Sequence, residues 1–456
     1  MKIAVIGAGI SGLSTAHFLK KNGIDLEVFE KNNYPGGTIS SKVVDGYLVE
    51  DGPNSTSETN VVIDELLSDL GILDEKVYAD ENSKYRYILR NGKLHALPAG
   101  IGSFLSTRLW SAGGKLRLFG EPFIGRARHE ESIADFVIRR LGREFLDYAI
   151  NPFVAGVYAG NPSELSVRAA FPKLYALEEK YGGLLRGTIG GMKERKRRSE
   201  KAKVSAKLFA FKSGMGILPA TIAKNLEDVI AYQSSVVRVE NVKSDNRKFY
   251  VHFSQDGKVG DAVFDGVVLS VPSYAATDMV KSWLPELSHG LSKIKYPPVA
   301  VAVLGYKKEH VRTDLRGFGF LVPEIENRKI LGTIWSSSIF PKRAPNGFVE
   351  FTTFLGGSRQ PKTVSMTLDE IAKVAHEENA SLMGIEGKPE FQSVSKWDRA
   401  IPQYNIGHLS IMEAIRHIES TYKGFYICSN YKDGISVADC IANGKKTAET
   451  ILAGVK

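Results

Sequence analysis

The chain has 456 residues, 43 % of them hydrophobic and 24 % charged, with a formal net charge of +9. That length exceeds one compact core and predicts two or three domains, and the composition excludes a disordered chain. Its two cysteines, Cys428 and Cys440, are too few for a disulfide scaffold or a cysteine-rich metal site, and both sit among apolar residues, as small buried side chains do. The opening apolar run is too short for a signal peptide and breaks into glycines. No stretch approaches the roughly 20 apolar residues that span a bilayer. A cytoplasmic protein is expected, or one at a membrane surface without crossing it. The positive charge suits anionic partners, but no nucleic-acid motif accompanies it.

Residues 2–6 are nearly all apolar, as in a parallel strand buried on both faces. After the glycine-rich turn, apolar residues fall at helical spacing up to Gly23, a helix stop. Residues 26–30 read as a second strand. Residues 61–71 look helical, 85–97 read as a hairpin about Asn91-Gly92, and 103–186 are mostly helical in pattern. Residues 193–207 hold eight Lys or Arg and almost no apolar side chains. Strands are expected at 207–212, 235–240, 248–254 and 262–271, with a helix at 217–226. A β-rich block covers 298–355, a helix 367–383, and 424–455 reads strand, loop, helix. Both ends look like pieces of one nucleotide domain, so the remainder is inserted between them. The fold class is α/β (α+β overall): a Rossmann-like domain with an inserted mixed-sheet domain and a largely helical domain.

Gly7, Gly9 and Gly12, with Ala8, Ile10 and Ser11 between them, match the dinucleotide fingerprint. One glycine makes the strand-to-helix turn, the next lets backbone N–H groups approach a pyrophosphate, and the third lets helix and strand pack closely. The helix N-terminus then faces the phosphates with its partial positive charge. Glu30, ending the second strand, is placed to accept from ribose hydroxyls and disfavours a 2′-phosphate. The chain continues Lys31-Asn-Asn-Tyr-Pro-Gly-Gly37, and a second glycine pair after the ribose acid points to FAD rather than NAD. At the other end, the helix that begins after Ile435-Ser436-Val437 can direct N–H groups at the flavin and stabilise the charge that builds when the flavin accepts a hydride.

The chain also resembles the protoporphyrinogen oxidase and coproporphyrinogen III oxidase family of the flavin amine oxidase superfamily. The stretches that carry the resemblance are Glu50-Asp-Gly-Pro-Asn-Ser55, Tyr87-Ile-Leu-Arg-Asn-Gly92, Asn151-Pro-Phe-Val-Ala-Gly156, Phe171-Pro-Lys-Leu-Tyr-Ala-Leu-Glu178, Phe211-Lys-Ser-Gly-Met-Gly216, Gly332-Thr-Ile-Trp-Ser-Ser-Ser338, Phe351-Thr-Thr-Phe354 and Asp433-Gly-Ile-Ser-Val-Ala-Asp-Cys440. It implies an FAD domain (1–80, 208–295 and 395–456), a substrate domain (81–98 and 296–394) and a helical, membrane-facing domain (99–207). It further implies FAD contacts at Gly7–Gly12, Glu30, Lys31, Gly37, Thr38, Gly52, Pro53, Asn54, Ser55, Trp397, Asn430, Ile435, Ser436 and Val437, and at Val236 through its backbone. Leu321, Ile334 and Phe354 are implied to sandwich the macrocycle, Arg90 to pair with a propionate, and Gly160 to face flavin N5, where a side chain would block the ring. Tyr158-Ala159 departs from the smaller residues usual there in the plant enzymes.

The implied reaction is a six-electron oxidation of a porphyrinogen to a porphyrin in haem synthesis, with O2 reoxidising FAD and giving H2O2. No His–Asp or Cys–His constellation demands a catalytic base, and aromatisation supplies much of the driving force. His408 reads as structural. The basic segment 193–207 reads as a solvated loop, a patch for anionic lipid, or a docking site for ferrochelatase. The rivals are a flavin oxidase for a polyamine or carotenoid, and a flavoprotein that binds a tetrapyrrole without turnover. The sequence leaves protoporphyrinogen against coproporphyrinogen open.

Overall fold

The computed structural model describes residues 1–188, 190, 207–242, 245–255 and 257–454. All of the basic segment except Lys207 therefore lies outside the described residues.

Five parallel strands form the nucleotide sheet, in the order Ile230–Ala231, Asp25–Phe29, Lys2–Ile6, Gly266–Leu269, Phe425–Ile427. Ile3, Ala4 and Val5 are fully buried, as a central strand with both faces covered requires. The helices Ile10–Lys21 and Val437–Ala453, from opposite ends of the chain, pack against each other on this sheet. A side chain on Gly444 would lie 2.7 Å from the Cβ of Ser14, so glycine is what lets the helices meet.

The strand expected over 262–271 is two strands in two sheets. Lys258–Phe264 pairs antiparallel with Asp245–Gln255, whereas Gly266–Leu269 runs parallel to Lys2–Ile6. Asp265 makes the transfer: its N–H donates to the Lys2 carbonyl at 2.9 Å, and its carboxylate accepts from the Lys2 N–H at 2.7 Å. The first piece alternates in exposure and the second is buried throughout, a change of pattern that a continuous apolar run conceals.

The second large sheet has seven strands, ordered Phe391–Trp397, Val299–Lys307, Phe348–Gly356, Gly332–Ile334, Gly319–Leu321, Arg86–Arg90, Lys93–Ala96. The hairpin turns at Asn91 and Gly92, with φ of 52° and 70°, as a tight two-residue connection demands. Strand Phe391–Trp397 runs through the domain border expected at 394–395, and pairing with Val299–Gly305 holds it in this sheet. Helix Leu368–Met383, capped by Thr367 and Glu370, covers one face, where Asn379 bonds Thr333 and Thr353 at 2.8 Å each. The opposite face is free to line a cavity.

The third part is built of short helices, among them Ile133–Arg140, Asn151–Tyr158 and Pro172–Tyr181. Arg359 ties helix Asn151–Tyr158 to the large sheet. Its guanidinium donates to the Val322 carbonyl at 2.6 Å and the Asn151 side chain at 2.6 Å. Among the described residues, no helix is long and apolar enough to cross a membrane.

Candidate functional site

Glu30 is buried, and its carboxylate accepts from the N–H of Ala8 at 2.8 Å and of Asn32 at 2.9 Å. Both oxygens are thereby fixed with lone pairs to spare for a ribose diol. A Cβ on Gly12 would fall 2.0 Å from the Gly7 carbonyl, whereas one on Gly9 would meet nothing within 4 Å. Gly12 is thus needed for packing, and Gly9 leaves space in front of the helix N-terminus. The Gly36 N–H donates to the Ala8 carbonyl at 2.8 Å, which brings the second glycine pair against the first turn. Gly37, Thr38 and Lys31 are exposed beside it. Ser270, at the end of strand Gly266–Leu269, packs against Gly7 and Gly12, and its buried hydroxyl has no partner. The sequence reading missed Ser270 because nothing local marks it. These features fit a bound dinucleotide: an acid held ready, space at a helix start and an orphaned donor.

The remaining expected cofactor residues flank the same region. A Cβ on Gly52 would lie 2.0 Å from the Thr38 carbonyl, so the loop Gly52–Ser55 crosses it closely. The Asn54 side chain donates to the Gly52 carbonyl at 3.2 Å, which holds the Pro53 turn. Trp397 donates from its indole to the Asp51 carbonyl at 2.8 Å, anchoring that loop to the large sheet. The register of strand Ser234–Val242 shifts between Val236 and Arg238, and such a bulge frees backbone groups. Ser436 caps the last helix through Asp439, leaving first-turn N–H groups such as that of Val437 without intrahelical acceptors. Tyr404 bonds the Asn430 carbonyl at 2.7 Å and the Gly434 N–H at 3.0 Å, which fixes the loop leading to Ile435.

Leu321, Gly332 and Phe354 are direct partners across three strands, and Ile334 lies two residues beyond Gly332. All four therefore share the sheet face away from helix Leu368–Met383. Leu321, Ile334 and Phe354 are each half-buried, and each adjoins a different core: the helical part, the nucleotide part and the second face of the large sheet. They meet at the junction of the three parts. Helix Asn151–Tyr158 fronts this face with Phe153, Gly156 and Val157, all exposed. A Cβ on Gly156 would lie 2.5 Å from a Leu321 methyl. The motif Asn151–Gly156 holds Phe153 and Gly156, and Val157 follows it, but sequence order alone does not show that Gly156 meets Leu321.

Two residues sit differently from expectation. The Arg90 guanidinium is held inside the protein, by Glu144 at 2.8 Å, by the Leu109 carbonyl and over the Tyr148 ring at 4.2 Å. Its charge is matched in the structure by Glu144, 54 positions away in sequence. Gly160 is buried, and the space its missing side chain leaves is filled by Gln403, whose Oε1 would lie 2.3 Å from a Cβ there. Tyr158 does not narrow the cavity. It points into the helical core and donates to the Ala170 carbonyl at 2.9 Å, and burial pushes its hydroxyl up to about 12.

His408 is buried and stacked on Tyr404 at 4.2 Å; burial pushes it down to about 4, so it stays neutral. Both cysteines are buried, and burial pushes the Cys440 thiol up to about 12, leaving it protonated and inert.

The family model for flavin containing amine oxidoreductases matches residues 10–452. The chain belongs to this family of flavin proteins. It is similar to protoporphyrinogen oxidase 2, chloroplastic/mitochondrial, of Arabidopsis thaliana, with 33 % identity covering 99 % of this chain and 94 % of that one. Coproporphyrinogen III oxidase of Bacillus subtilis (strain 168) is 28 % identical over 99 % of this chain and 97 % of that one. A crystal structure from Exiguobacterium sp. 255-15 superposes with a TM-score of 0.81 at 20 % identity, covering 99 % of both chains. That likeness speaks for the fold.

Proposed function

We propose that the protein is an FAD-dependent oxidase that converts a porphyrinogen to the porphyrin in haem synthesis, consuming O2 and giving H2O2. The observation that carries this reading is the junction face. Leu321, Ile334 and Phe354 present a broad apolar wall, and the loop Gly52–Ser55 borders it. A large flexible ring with few polar groups is held by such a wall through shape. The relatives named for protoporphyrinogen and coproporphyrinogen support this substrate class over an amine or a carotenoid. When bound, the flavin supplies the hydride acceptor. The chain supplies Glu30 and the Gly7–Gly12 turn to hold the nucleotide end, the Val437 helix start to favour negative charge, and the apolar wall to orient the ring and exclude water.

The helical part offers a membrane-surface contact. Ile101, Leu105, Leu116, Phe119 and Phe123 are strongly exposed, with Lys115 and Arg117 among them. Apolar side chains interleaved with cations suit shallow burial in an anionic interface.

The test is direct. The purified protein is expected to show a flavin spectrum and to release FAD on denaturation. It should accelerate porphyrin fluorescence from coproporphyrinogen III or protoporphyrinogen IX in air over a control without enzyme, and the faster substrate identifies the branch. A flavin spectrum with no acceleration for either sinks the proposal.

A further inference from the structure

Glu350 lies four residues before Phe354 on strand Phe348–Gly356, so it belongs to the sheet face that carries Leu321 and Ile334. It is 2 % exposed, and its Oε2 has no hydrogen-bond partner. Its cross-strand neighbour, Gly305, carries no side chain, and Tyr47 fills that space with a hydroxyl that is also unpartnered. Arg343, 3 % exposed, donates from Nη1 to Glu50 Oε1 at 2.6 Å, while its Nη2 has no partner. Glu50 is otherwise satisfied by the Met215 N–H at 3.0 Å and by Ser41. The guanidinium thus bonds Glu50 and acts on Glu350 through charge alone, and three orphaned polar atoms remain around it.

This cluster reaches a cavity. Arg343 and Ser336 line it together with Asn54, Ser55, Phe318 and Ile334, so the cofactor loop stands on one side and the apolar wall on the other. The Ser336 hydroxyl bonds Thr352 at 2.7 Å and also bears on the Glu350 carboxyl. Ionising both Glu50 and Glu350 would leave a surplus negative charge in a buried place. Burial above all, with Glu50 adding to it, pushes Glu350 up to about 8, against the pull of Arg343 and Ser336. The group therefore exchanges a proton near neutral pH, where general bases work best. The other titratable groups facing it are Glu50 and Tyr47 on strand Tyr47–Glu50 and Arg343. Glu390, beyond Gly305, faces Tyr47.

We propose that Glu350, reached through the Ser336 hydroxyl, takes up the proton that the substrate's ring N–H loses during oxidation, with Arg343 steadying the carboxylate. This rests on the porphyrinogen reading above. In each two-electron step a carbon–hydrogen bond breaks and both electrons leave with the hydride for the flavin. In two of the three steps a ring N–H bond breaks with its electron pair retained to form the new C=N bond, and in the remaining step the proton comes from the fourth meso carbon. The ring N–H proton passes to Ser336 as the serine proton passes to Glu350, forming one O–H bond there, and it then leaves to solvent.

The holoenzyme is mixed anaerobically with each porphyrinogen and flavin reduction is followed across a pH series. The wild-type rate should rise through the region near pH 8 and level off. Glu350→Gln should slow it by about 10²-fold and abolish the inflection. Glu350→Asp should restore much of the rate and the inflection, and Ser336→Ala, which keeps the carboxyl, should be slow. Without substrate, the infrared band of a protonated buried carboxyl should vanish on alkaline titration of the wild type and be missing in Glu350→Gln. A Glu350→Gln protein with the wild-type rate and profile overturns the inference and leaves the porphyrinogen reading intact. Failure of both porphyrinogens to reduce the wild-type flavin overturns both.

Discussion

Arg140 and Arg343 are both buried beside glutamates, the first bonded to two and the second to one with another acting through charge, yet they are finished differently. Arg140 bonds Glu121 at 3.0 Å and Glu178 at 2.7 Å. Glu121 in turn accepts from the N–H groups of Leu184 and Leu185 at 2.8 and 3.1 Å, and no side-chain atom of Arg140, Glu121 or Glu178 is left buried without a partner. Around Arg343, by contrast, Arg343 Nη2, Glu350 Oε2 and Tyr47 Oη are all unpartnered. Both clusters bear the cost of taking charges out of water. Only the first recovers it fully, so it acts as scaffold for the helical part. The second keeps its loose ends, and Arg343 brings the cluster to a cavity wall.

The largest effect separating the two should come from Arg140→Met. It takes the guanidinium from two buried carboxylates at once, leaving Glu121 only the Leu184 and Leu185 N–H groups and Glu178 mainly Arg139, and should cost about 3–5 kcal/mol in chemical denaturation, without altering the flavin spectrum of the folded fraction. A cost below about 1 kcal/mol would erase the contrast. Next comes pH. Glu350 is held protonated in the fold up to about 8, whereas its ordinary value is 4.5. Between those values the folded state binds more protons than the unfolded one, so the contribution is complete below 4.5 and is lost as pH rises through about 8. Thermal melts over that window should show the wild type losing stability relative to Glu350→Gln, a difference that no substitution at Arg140 should reproduce. Arg343→Met should cost less than Arg140→Met, about 1–3 kcal/mol, because Arg343 bonds one carboxylate, Glu50, which keeps the Met215 N–H and Ser41 as donors. The smallest effect should be Ser41→Ala, about 1 kcal/mol by denaturant titration, since one neutral donor is removed.

What the sequence made legible was local. The strand, glycine turn, helix and acid of residues 2–30 read correctly because each needs only its neighbours and a regular period, and the hairpin at Asn91-Gly92 read for the same reason. The apolar wall was reachable only through resemblance, since Leu321, Ile334 and Phe354 come from separate strands and only pairing puts them on one face. Glu50 and Arg343 are 293 positions apart, and nothing in either neighbourhood names the other. Arg90 shows the same limit: its partner Glu144 lies on a different element, so position alone could not reveal that ion pair. The false single strand at 262–271 marks the opposite limit, where local pattern was continuous and pairing was not.

The packing of the first helix against the last has a consequence for synthesis. The Thr15 hydroxyl donates to the sulfur of Cys428 at 3.5 Å across 413 positions. At about 5–20 residues per second, the opening strand and helix leave the ribosome on the order of half a minute or more before the segment that covers them is made. During that interval their apolar face is a client for chaperones, and the nucleotide cannot be gripped from both sides. On the cofactor site proposed above, a nascent chain stopped before the last helix lacks one side of the flavin's cradle, so yellow colour in the finished protein would double as a record that translation reached that helix.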